Sequence, residues 1–383
     1  MKILFLAPSN SVHASRWISQ AIDSGIECSL FDLVPGANKP SDLDLANYFS
    51  YELKASRFSN IPILGELLAL KRQNFLLSAA VKEVAPDAIH CHWLFHSLPF
   101  LATFQKGVSL IATPWGSDLQ QPIKPLRGRL KKVITNRILV GRIVSKSIGF
   151  CCDSRQLASI LKSRGARTEP RIIYFGTDVK KFSPANRLDS IRTKFGGGSD
   201  KLLIISNRSH ENLYDIQTLI RAASLLKESH ENLRYVIAGS GSITQSLKEL
   251  VEELQLSEFF YFTGRLDDVE FVSATASCDI YVSTSTSDGG LAASTAEAMS
   301  CRVPVVISNF GENAEWLENE SAGFLFDIGD EFGLAEKIKL LADSKDLREA
   351  MGQAGREKIS RDNNSNLEWM KVLALYDDVI HRA

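Results

Sequence analysis

The residues best suited to chemistry lie between positions 281 and 306. A run rich in serine, threonine and glycine, 283–290, is followed by small residues that predict a helix over 291–300. Free N–H groups at the start of a helix carry a partial positive charge and suit a phosphate. Glu297, about two turns into the predicted helix, is instead placed to accept hydrogen bonds from hydroxyl groups, such as those of a ribose. A nucleoside diphosphate would meet both demands.

Strands must flank this run for it to form a site. An apolar strand is predicted to end at Val282, and another to begin at Pro304. In a parallel α/β sheet, the loops after the carboxyl ends of the strands are where ligands bind. The same pattern would also fit an ordinary strand-loop-helix unit of any Rossmann-like domain, and that alternative stays open here.

The run resembles the signature of the family 4 glycosyltransferases, which join a sugar from a nucleotide-sugar to an acceptor. That signature has two acids at a fixed spacing, then Ala-Met and a Pro-Val-Val strand. The chain keeps 297–299 as Glu-Ala-Met and 304–306 as Pro-Val-Val, but Gly289 stands at the first acidic position and Asp288 lies one residue earlier. The resemblance implies that Glu297 holds the ribose. It also implies that the donor sugar and phosphate are positioned by Asp288 and by the main chain of Gly289, Gly290, Leu291 and Ala292.

Further matches to the family occur in order through the second half. Arg208 follows an apolar strand at the place of a family arginine that binds the diphosphate, while Leu213 replaces the lysine that accompanies it. The resemblance implies that Arg208 stabilises the leaving diphosphate, with His210 adding to it. It also implies that the nucleotide is contacted by Gly239, Gly264, Arg265 and Leu266, with the main chain near Gly264 reading the base.

The matches in the first half are looser. The resemblance places Asn10, Ser11 and His13 in a loop that faces the acceptor and the donor phosphate, and His92 along the cleft. Trp115 would stack on a sugar, and Asp118 would hold a hydroxyl group in a catalytic role. For His13, Trp115 and Asp118, ordinary helix-start, loop-packing and helix-capping roles remain alternatives. His90 and His92 share one face of a predicted strand, but no carboxylate cluster accompanies them, so a metal site is disfavoured.

The predicted fold is α/β, with two Rossmann-like domains facing across a cleft, the GT-B architecture. Residues 1–184 would form the acceptor domain, with a C-terminal helix, 365–383, crossing back to it. Residues 185–364 would form the nucleotide-sugar domain. The resemblance further implies retention of anomeric configuration and no need for a metal or another cofactor.

Charge is distributed unevenly along the 383 residues. Residues 1–181 hold 24 Lys and Arg against 13 Asp and Glu, or +11, whereas residues 182–383 hold 20 against 32, or −12. Positions 124–146 carry many cations and no acid, with apolar residues at helical spacing. This pattern is typical of a helix on an anionic membrane surface, although a core-packed helix with a solvated basic face explains it equally well.

These features predict a cytoplasmic enzyme that could also associate peripherally with the inner face of the membrane. Six cysteines without a metal spacing indicate reduced core residues, and we expect no signal peptide, transmembrane helix or nucleic-acid partner. The predicted reaction moves a sugar from a UDP- or GDP-linked donor to a saccharide or lipid-linked acceptor, as in bacterial polysaccharide and glycolipid synthesis. The alternatives are a nucleotide-sugar epimerase or phosphorylase of the same architecture and a non-catalytic sugar-nucleotide-binding subunit.

Overall fold

The computed structural model describes residues 1–52, 62–116, 118–119, 129–198, 200–286 and 290–381. The chain forms two compact units. Unit 1 consists of Met1–Phe175 and Glu368–Ala383, and unit 2 of Gly176–Leu367. The first boundary lies slightly before the predicted one at 184, and the second slightly after the predicted one at 364.

Unit 1 contains a sheet of seven parallel strands. They are β1 Lys2–Ala7, β2 Glu27–Asp32, β3 Asn47–Phe49, β4 Ala88–His92, β5 Ser109–Thr113, β6 Gly149–Cys152 and β7 Arg171–Ile172. In space they run β3-β2-β1-β4-β5-β6-β7, so the order reverses between β1 and β4. The crevice at such a reversal, outside the carboxyl ends of the strands, is the expected ligand site of this kind of sheet.

Helices cover both faces of this sheet. They are α1 Val12–Asp23, α2 Pro62–Val84, α3 Ser97–Ala102, α4 Arg129–Lys146 and α5 Arg155–Ser163. Along β1, Leu4 and Leu6 enter one buried core and Ile3 and Phe5 enter the other. This alternation follows from the two-residue period of a strand and explains why β1 is apolar throughout.

Unit 2 repeats the design with six parallel strands. They are β8 Leu202–Ser206, β9 Leu233–Ala238, β10 Phe260–Gly264, β11 Ile280–Ser283, β12 Val305–Ser308 and β13 Gly323–Phe326. The helices are α6 Asp189–Lys194, α7 Ile216–Leu226, α8 Thr244–Glu253, α9 Asp268–Ser277, α10 Ala293–Ser300, α11 Asn313–Trp316, α12 Glu331–Asp343 and α13 Lys345–Asp362. The spatial order β10-β9-β8-β11-β12-β13 reverses between β8 and β11. The expected ligand site of unit 2 is therefore at the ends of those two strands.

The last helix, α14 Ser365–His381, returns to unit 1. Its buried face, which includes Trp369 and Tyr376, joins the core that holds Ile3 and Phe5. The Trp369 ring N–H donates a hydrogen bond to the Ser24 hydroxyl over 2.7 Å. These contacts make the C-terminal segment an integral part of unit 1.

The chain segments at the two ends of unit 2 are hydrogen-bonded to each other at Thr177. Its N–H donates to the carbonyl of Asn363 over 2.7 Å, and its carbonyl accepts from the N–H of Ser365 over 3.0 Å. Gly176 lies beside this bridge with φ of +75°, and a Cβ there would come within 2.5 Å of the Ser365 Cα. Both the backbone conformation and the lack of space require glycine at this position.

The two parallel sheets confirm the predicted α/β class with two Rossmann-like domains. Helix α4 lies within the basic segment 124–146, but positions 124–128 fall outside the described residues. Among the helices of the described ranges, none is long and apolar enough to cross a membrane.

Candidate functional site

Two loops of unit 2 meet where its strand order reverses. One follows β8 and carries Arg208, and the other runs from β11 to α10. The Thr284 hydroxyl donates to the carbonyl of Tyr214 over 2.7 Å, and the N–H of Thr286 donates to the carbonyl of Leu213 over 2.9 Å. Hydroxyl-bearing residues of the predicted phosphate loop therefore fix it against the loop that carries the arginine.

Arg208 lies against the first turn of α10. Its Nη1 donates a hydrogen bond to the Ser294 hydroxyl over 3.1 Å. Its guanidinium carbon lies 4.4 Å from the ring centroid of Tyr214, a cation–π contact. The Ser294 hydroxyl also shares a 2.8 Å hydrogen bond with the Tyr281 hydroxyl. These contacts orient a positive charge beside the positive end of a helix.

The start of α10 provides main-chain donors. Ala292 occupies the cap position and makes no side-chain capping hydrogen bond. N–H groups in the first turn of a helix have no partner within the helix, so an anion at this end would meet both these groups and Arg208. Gly290, Leu291 and Ala292 lie half-buried just before the helix, whereas Asp288 and Gly289 lie outside the described residues.

Glu297 lies closer to the helix start than the sequence suggested. The predicted helix began at Leu291, but α10 begins at Ala293, so Glu297 is just over one turn into it rather than about two. The side chain is 5% exposed. The contact of Glu297 with a ribose stays a prediction.

The glycine turn after β9 packs directly on the loop of Arg208. Gly239 has φ of +124°, and a Cβ there would come within 2.7 Å of the Arg208 carbonyl oxygen. The Gly239 N–H donates to the carbonyl of Gly264 over 2.8 Å. The predicted nucleotide residues Gly239 and Gly264 are thus adjacent, and they are followed by an exposed Arg265 and a half-buried Leu266.

His210 supports this turn from inside. The side chain is fully buried, and its Nδ1 shares a 2.8 Å hydrogen bond with the Thr244 hydroxyl. Burial, with a smaller effect from the Lys248 charge, lowers its pKa below the usual value, which favours the neutral ring. The predicted contact of His210 with phosphate stays a prediction.

Three polar side chains of this site were not predicted as site residues. Ser294 and Tyr214 contact Arg208, and the only sequence signal for them is their position beside predicted site segments. Asn207 precedes Arg208, and among the described residues neither its amide nitrogen nor its amide oxygen has a hydrogen-bond partner, although both atoms are buried. Because unsatisfied buried amides are costly, Asn207 indicates that a polar group can enter here.

The corresponding edge of unit 1 contains different groups. The Ser11 hydroxyl caps α1 by accepting from the N–H of Ala14 over 3.3 Å, while Asn10 beside it is exposed. His13 is half-buried, with its ring 4.4 Å from that of Phe175 and 6.2 Å from that of Trp115. Burial, followed by the nearby charge of Arg16, lowers the His13 pKa.

His92 is fully buried, and its predicted place along the cleft stays a prediction. Burial, followed by an effect of His13, lowers its pKa to about 3. Within the described part of the chain, neither ring nitrogen has a hydrogen-bond partner. The neighbouring His90 ring, 4.4 Å away, is held by hydrogen bonds of 2.7 Å to the hydroxyls of Tyr376 and Thr113.

Asp118 holds the loop after β5. Its carboxylate accepts from the N–H of Leu94 over 2.7 Å and from the N–H of Trp115 over 3.0 Å. Burial raises its pKa to about 6, although these hydrogen bonds act in the opposite direction. Both N–H groups precede Asp118 in the chain, so these bonds join two loops and are not those of a helix cap. A contact of Asp118 with a substrate hydroxyl stays a prediction. The half-buried Trp115 lies 6.3 Å from the stacked ring of Trp93.

Metal binding has no candidate cluster in the part of the chain that the structure describes. No group of three or more His, Cys, Asp or Glu side chains there could hold a metal ion. Metal independence stays a prediction from the family resemblance.

Comparisons with known proteins agree with this geometry. The family model described as "Glycosyl transferase 4-like" matches residues 2–141, and the model described as "Glycosyl transferases group 1" matches residues 189–358. The first match lies within unit 1 and the second within unit 2. Together they span most of the chain and leave the 142–188 segment between them.

Sequence identity to individual relatives is low and covers only part of the chain. The chain is 29% identical over 203 residues to the putative glycosyltransferase EpsD of Bacillus subtilis, a match that covers 52% of each chain. It is 28% identical over 169 residues to the alpha-monoglucosyldiacylglycerol synthase of Streptococcus pneumoniae, covering 42% of this chain and 38% of the relative. The chain thus matches about half or less of the length of these curated relatives.

Among solved structures, the fold is similar to that of Anabaena HepE in complex with UDP. The TM-score is 0.77 at 17% sequence identity, over 99% of this chain and 100% of HepE. Identity at this level shows a shared fold, and the family follows from the two matched models. The chain therefore belongs to the glycosyltransferases, in the family 4 group that has the GT-B fold.

Proposed function

We propose that the protein transfers a sugar from a UDP- or GDP-linked donor to a saccharide or lipid-linked acceptor, with retention and without a metal. The observation that supports this most is the placement of Arg208 against the first turn of α10, at the strand reversal of unit 2. A cation and a helix N-terminus at one point suit a diphosphate, whose negative charge grows as it leaves the sugar.

The remaining groups of unit 2 fit the other parts of a nucleotide. Glu297 lies about one turn from the helix start, where a carboxylate suits ribose hydroxyls rather than phosphate. The unsatisfied amide of Asn207 would bond a polar donor group next to Arg208. The adjacent turns at Gly239 and Gly264 would leave room for the base. HepE, which shares the fold, was solved with UDP.

Unit 1 would provide the acceptor side. His13 and His92 have lowered pKa values, so near neutral pH their rings are uncharged and suit neutral hydroxyl groups rather than phosphates. Trp115 would add an aromatic surface for a sugar. The S. pneumoniae relative is named as a glucosyldiacylglycerol synthase, and the basic segment 124–146 would suit a lipid-borne acceptor at the inner face of the membrane.

A second candidate is a non-catalytic subunit that binds a sugar nucleotide. Leu213 favours it, because the family's second diphosphate cation is missing there and the apolar side chain is exposed. This candidate shares the nucleotide site of unit 2 but would show no turnover.

A panel of UDP-, GDP- and ADP-sugars tests the proposal. One nucleotide class should raise the melting temperature and also be slowly hydrolysed. Glu297→Gln should weaken the stabilisation by that class while leaving the melting temperature of the free protein nearly unchanged. Stabilisation without hydrolysis or transfer would favour the binding subunit, and no response to any nucleotide would contradict both candidates.

A further inference from the structure

Trp93, the residue that follows β4, combines an unusual main chain with an exposed side chain. Its φ of +58° lies in the left-handed region, which a bulky residue rarely adopts. Trp93 is also 37% exposed, although tryptophan is usually buried more deeply. Its N–H donates to the carbonyl of Thr113 over 3.2 Å, which helps to hold the conformation. Strained residues that neighbouring contacts hold in place occur preferentially at ligand sites.

The exposed indole of Trp93 stacks on Trp115. The ring centroids are 6.3 Å apart and the ring planes differ by 17°. One oxygen of the buried Asp118 carboxylate accepts from the N–H of Leu94, directly after Trp93, and the other accepts from the N–H of Trp115. A single carboxylate therefore holds the loops of both tryptophans, so their spacing does not depend on a bound ligand.

Polar atoms without hydrogen-bond partners lie next to this stack. The rings of His13 and His92 lie 6.2 Å and 6.1 Å from the Trp115 ring. Among the described residues, the His13 Nδ1, both ring nitrogens of His92 and the Trp115 Nε1 are buried without a partner. Leaving such atoms unpaired is costly. A ring N–H needs an acceptor and a ring lone pair needs a donor, and a hydroxyl group can serve as either.

We propose that Trp93 and Trp115 bind a pyranose ring of the acceptor, with its C–H face on the exposed indole and its hydroxyl groups toward the unpaired nitrogens. The face of an aromatic ring is partly negative and attracts C–H groups. An acyl chain would also cover the indole, but it would leave the nitrogens unpaired. That the sugar belongs to the acceptor rests on the proposed function, whereas binding of a pyranose is measurable without turnover.

Fluorine NMR of protein labelled with fluorotryptophan tests this binding at single residues. The chain has five tryptophans, and replacing each in turn assigns the five resonances. The probes are the methyl glycosides of glucose, galactose, mannose and N-acetylglucosamine. At least one of them should shift the resonances of Trp93 and Trp115 saturably. Trp316, in unit 2, is the internal control and should not respond.

Variants of Trp93 measure the contribution of the exposed ring. Trp93→Ala should weaken glycoside binding, read from the Trp115 resonance, by about 10-fold, because the C–H face then stays in water. Trp93→Phe keeps an aromatic face and should lose only about 3-fold. The matched control is Phe75→Ala, because Phe75 of α2 lies in the same unit and is 72% exposed. This control should bind the glycoside as tightly as the wild type.

Steady-state kinetics on the identified acceptor provide a second readout. Trp93→Ala should raise the KM for the acceptor by about 10-fold and leave the KM for the nucleotide-sugar unchanged, because the ring contacts only the acceptor. An unchanged acceptor KM in an active Trp93→Ala variant would contradict the sugar-binding role and leave the proposed function standing. Glycoside binding by a protein that shows no turnover would leave the sugar-binding role standing and contradict the transferase.

Three results of the NMR experiment would overturn the proposal. One is that no glycoside of the panel shifts Trp93 and Trp115, or that Trp316 shifts equally. Another is a Trp93→Ala variant that binds the glycoside as tightly as the wild type. The third is a shift of Trp93 by a nucleoside or by phospholipid vesicles but by no glycoside, since the stacked indoles would then bind a base or a lipid.

Discussion

At the strand reversal of unit 2 a partly exposed cation lies against a helix start, whereas the same place in unit 1 holds buried, neutral rings. Arg208 is oriented by Ser294 and Tyr214. His90 and His92 of unit 1 are fully buried, with pKa values lowered mainly by burial. The same sheet topology thus supports an electrostatic site in one unit and an uncharged site in the other. Since the two sheets share their strand order, the difference comes from the side chains at the strand ends, such as His90 and His92 of β4, and from the loops that follow the strands.

The largest effect is expected from removing the positive charge of Arg208 in unit 2. Arg208→Ala should lower turnover by at least about 100-fold, because losing one donor to a developing negative charge typically costs about 2.7–4 kcal/mol. Arg208→Lys should recover only part, since an ammonium lacks the two-point fork of a guanidinium. Steady-state kinetics on the identified donor would measure both variants.

Arg221→Ala, at an exposed position of α7, is the matched control and should keep its turnover. Near-wild-type turnover of Arg208→Ala would contradict the proposed role of Arg208 in stabilising the leaving diphosphate. It would favour the non-catalytic subunit.

Acid should affect unit 1 through its neutral histidines. His92 titrates near pH 6.5 when unfolded and near pH 3 when folded, so between these values the unfolded chain binds more protons. Above about pH 6.5 the buried neutral ring of His92 costs the folded protein no stability. Below that pH the free energy of unfolding falls, because protons bind preferentially to the unfolded chain. From pH 6.5 to 5 the expected loss is about 1–2 kcal/mol for each such histidine. His90 and His96 act in the same direction, while the raised pKa of Asp118 opposes them.

Urea unfolding at pH 7 and pH 5 checks this sign. Tryptophan fluorescence reports mainly on unit 1, because Trp316 is the only one of the five tryptophans in unit 2. The free energy lost between the two pH values should be smaller in His92→Gln than in the wild type. His381→Gln, at an exposed position, should change nothing. An equal loss in all three proteins would show that His92 does not carry the acid sensitivity.

The smallest effect concerns how Arg208 is oriented. Tyr214→Leu removes the ring under the guanidinium, a contact worth about 0.5–1 kcal/mol when exposed, so turnover should fall about 2- to 5-fold. Tyr214→Phe keeps the ring and should stay near the wild type. Tyr261→Leu changes an exposed tyrosine elsewhere in unit 2 and serves as the control. Equal losses in the leucine and phenylalanine variants of Tyr214 would argue against orientation by the ring.

Much of this architecture could be predicted from the sequence, because apolar strands alternating with amphipathic helices are periodic local signals. The strand before Arg208 is an example. The predicted start of α10 lies two residues too early, since good helix formers such as Leu291 and Ala292 do not by themselves mark where a helix begins.

The side-chain roles were harder to predict, because they depend on contacts between distant segments. Ser294 and Arg208 are 86 residues apart, and their hydrogen bond exists only once β8 and β11 are neighbours. Likewise, the burial of His92 and the main-chain bonds of Asp118 depend on packing between loops. Residue type alone leaves such side chains open to either a structural or a catalytic interpretation.

The hydrogen bonds of Thr177 with Asn363 and Ser365 have a consequence for exchanging parts of the enzyme. They bring the two cut points around unit 2 close together, as in a domain inserted into a loop of its host. The stretch 176–367 would therefore be a natural cassette, which a related host could accept with only short junctions. New termini opened in an exposed loop of unit 2, with the present ends of the cassette linked, would give a circular permutant that keeps the surroundings of Arg208 whole.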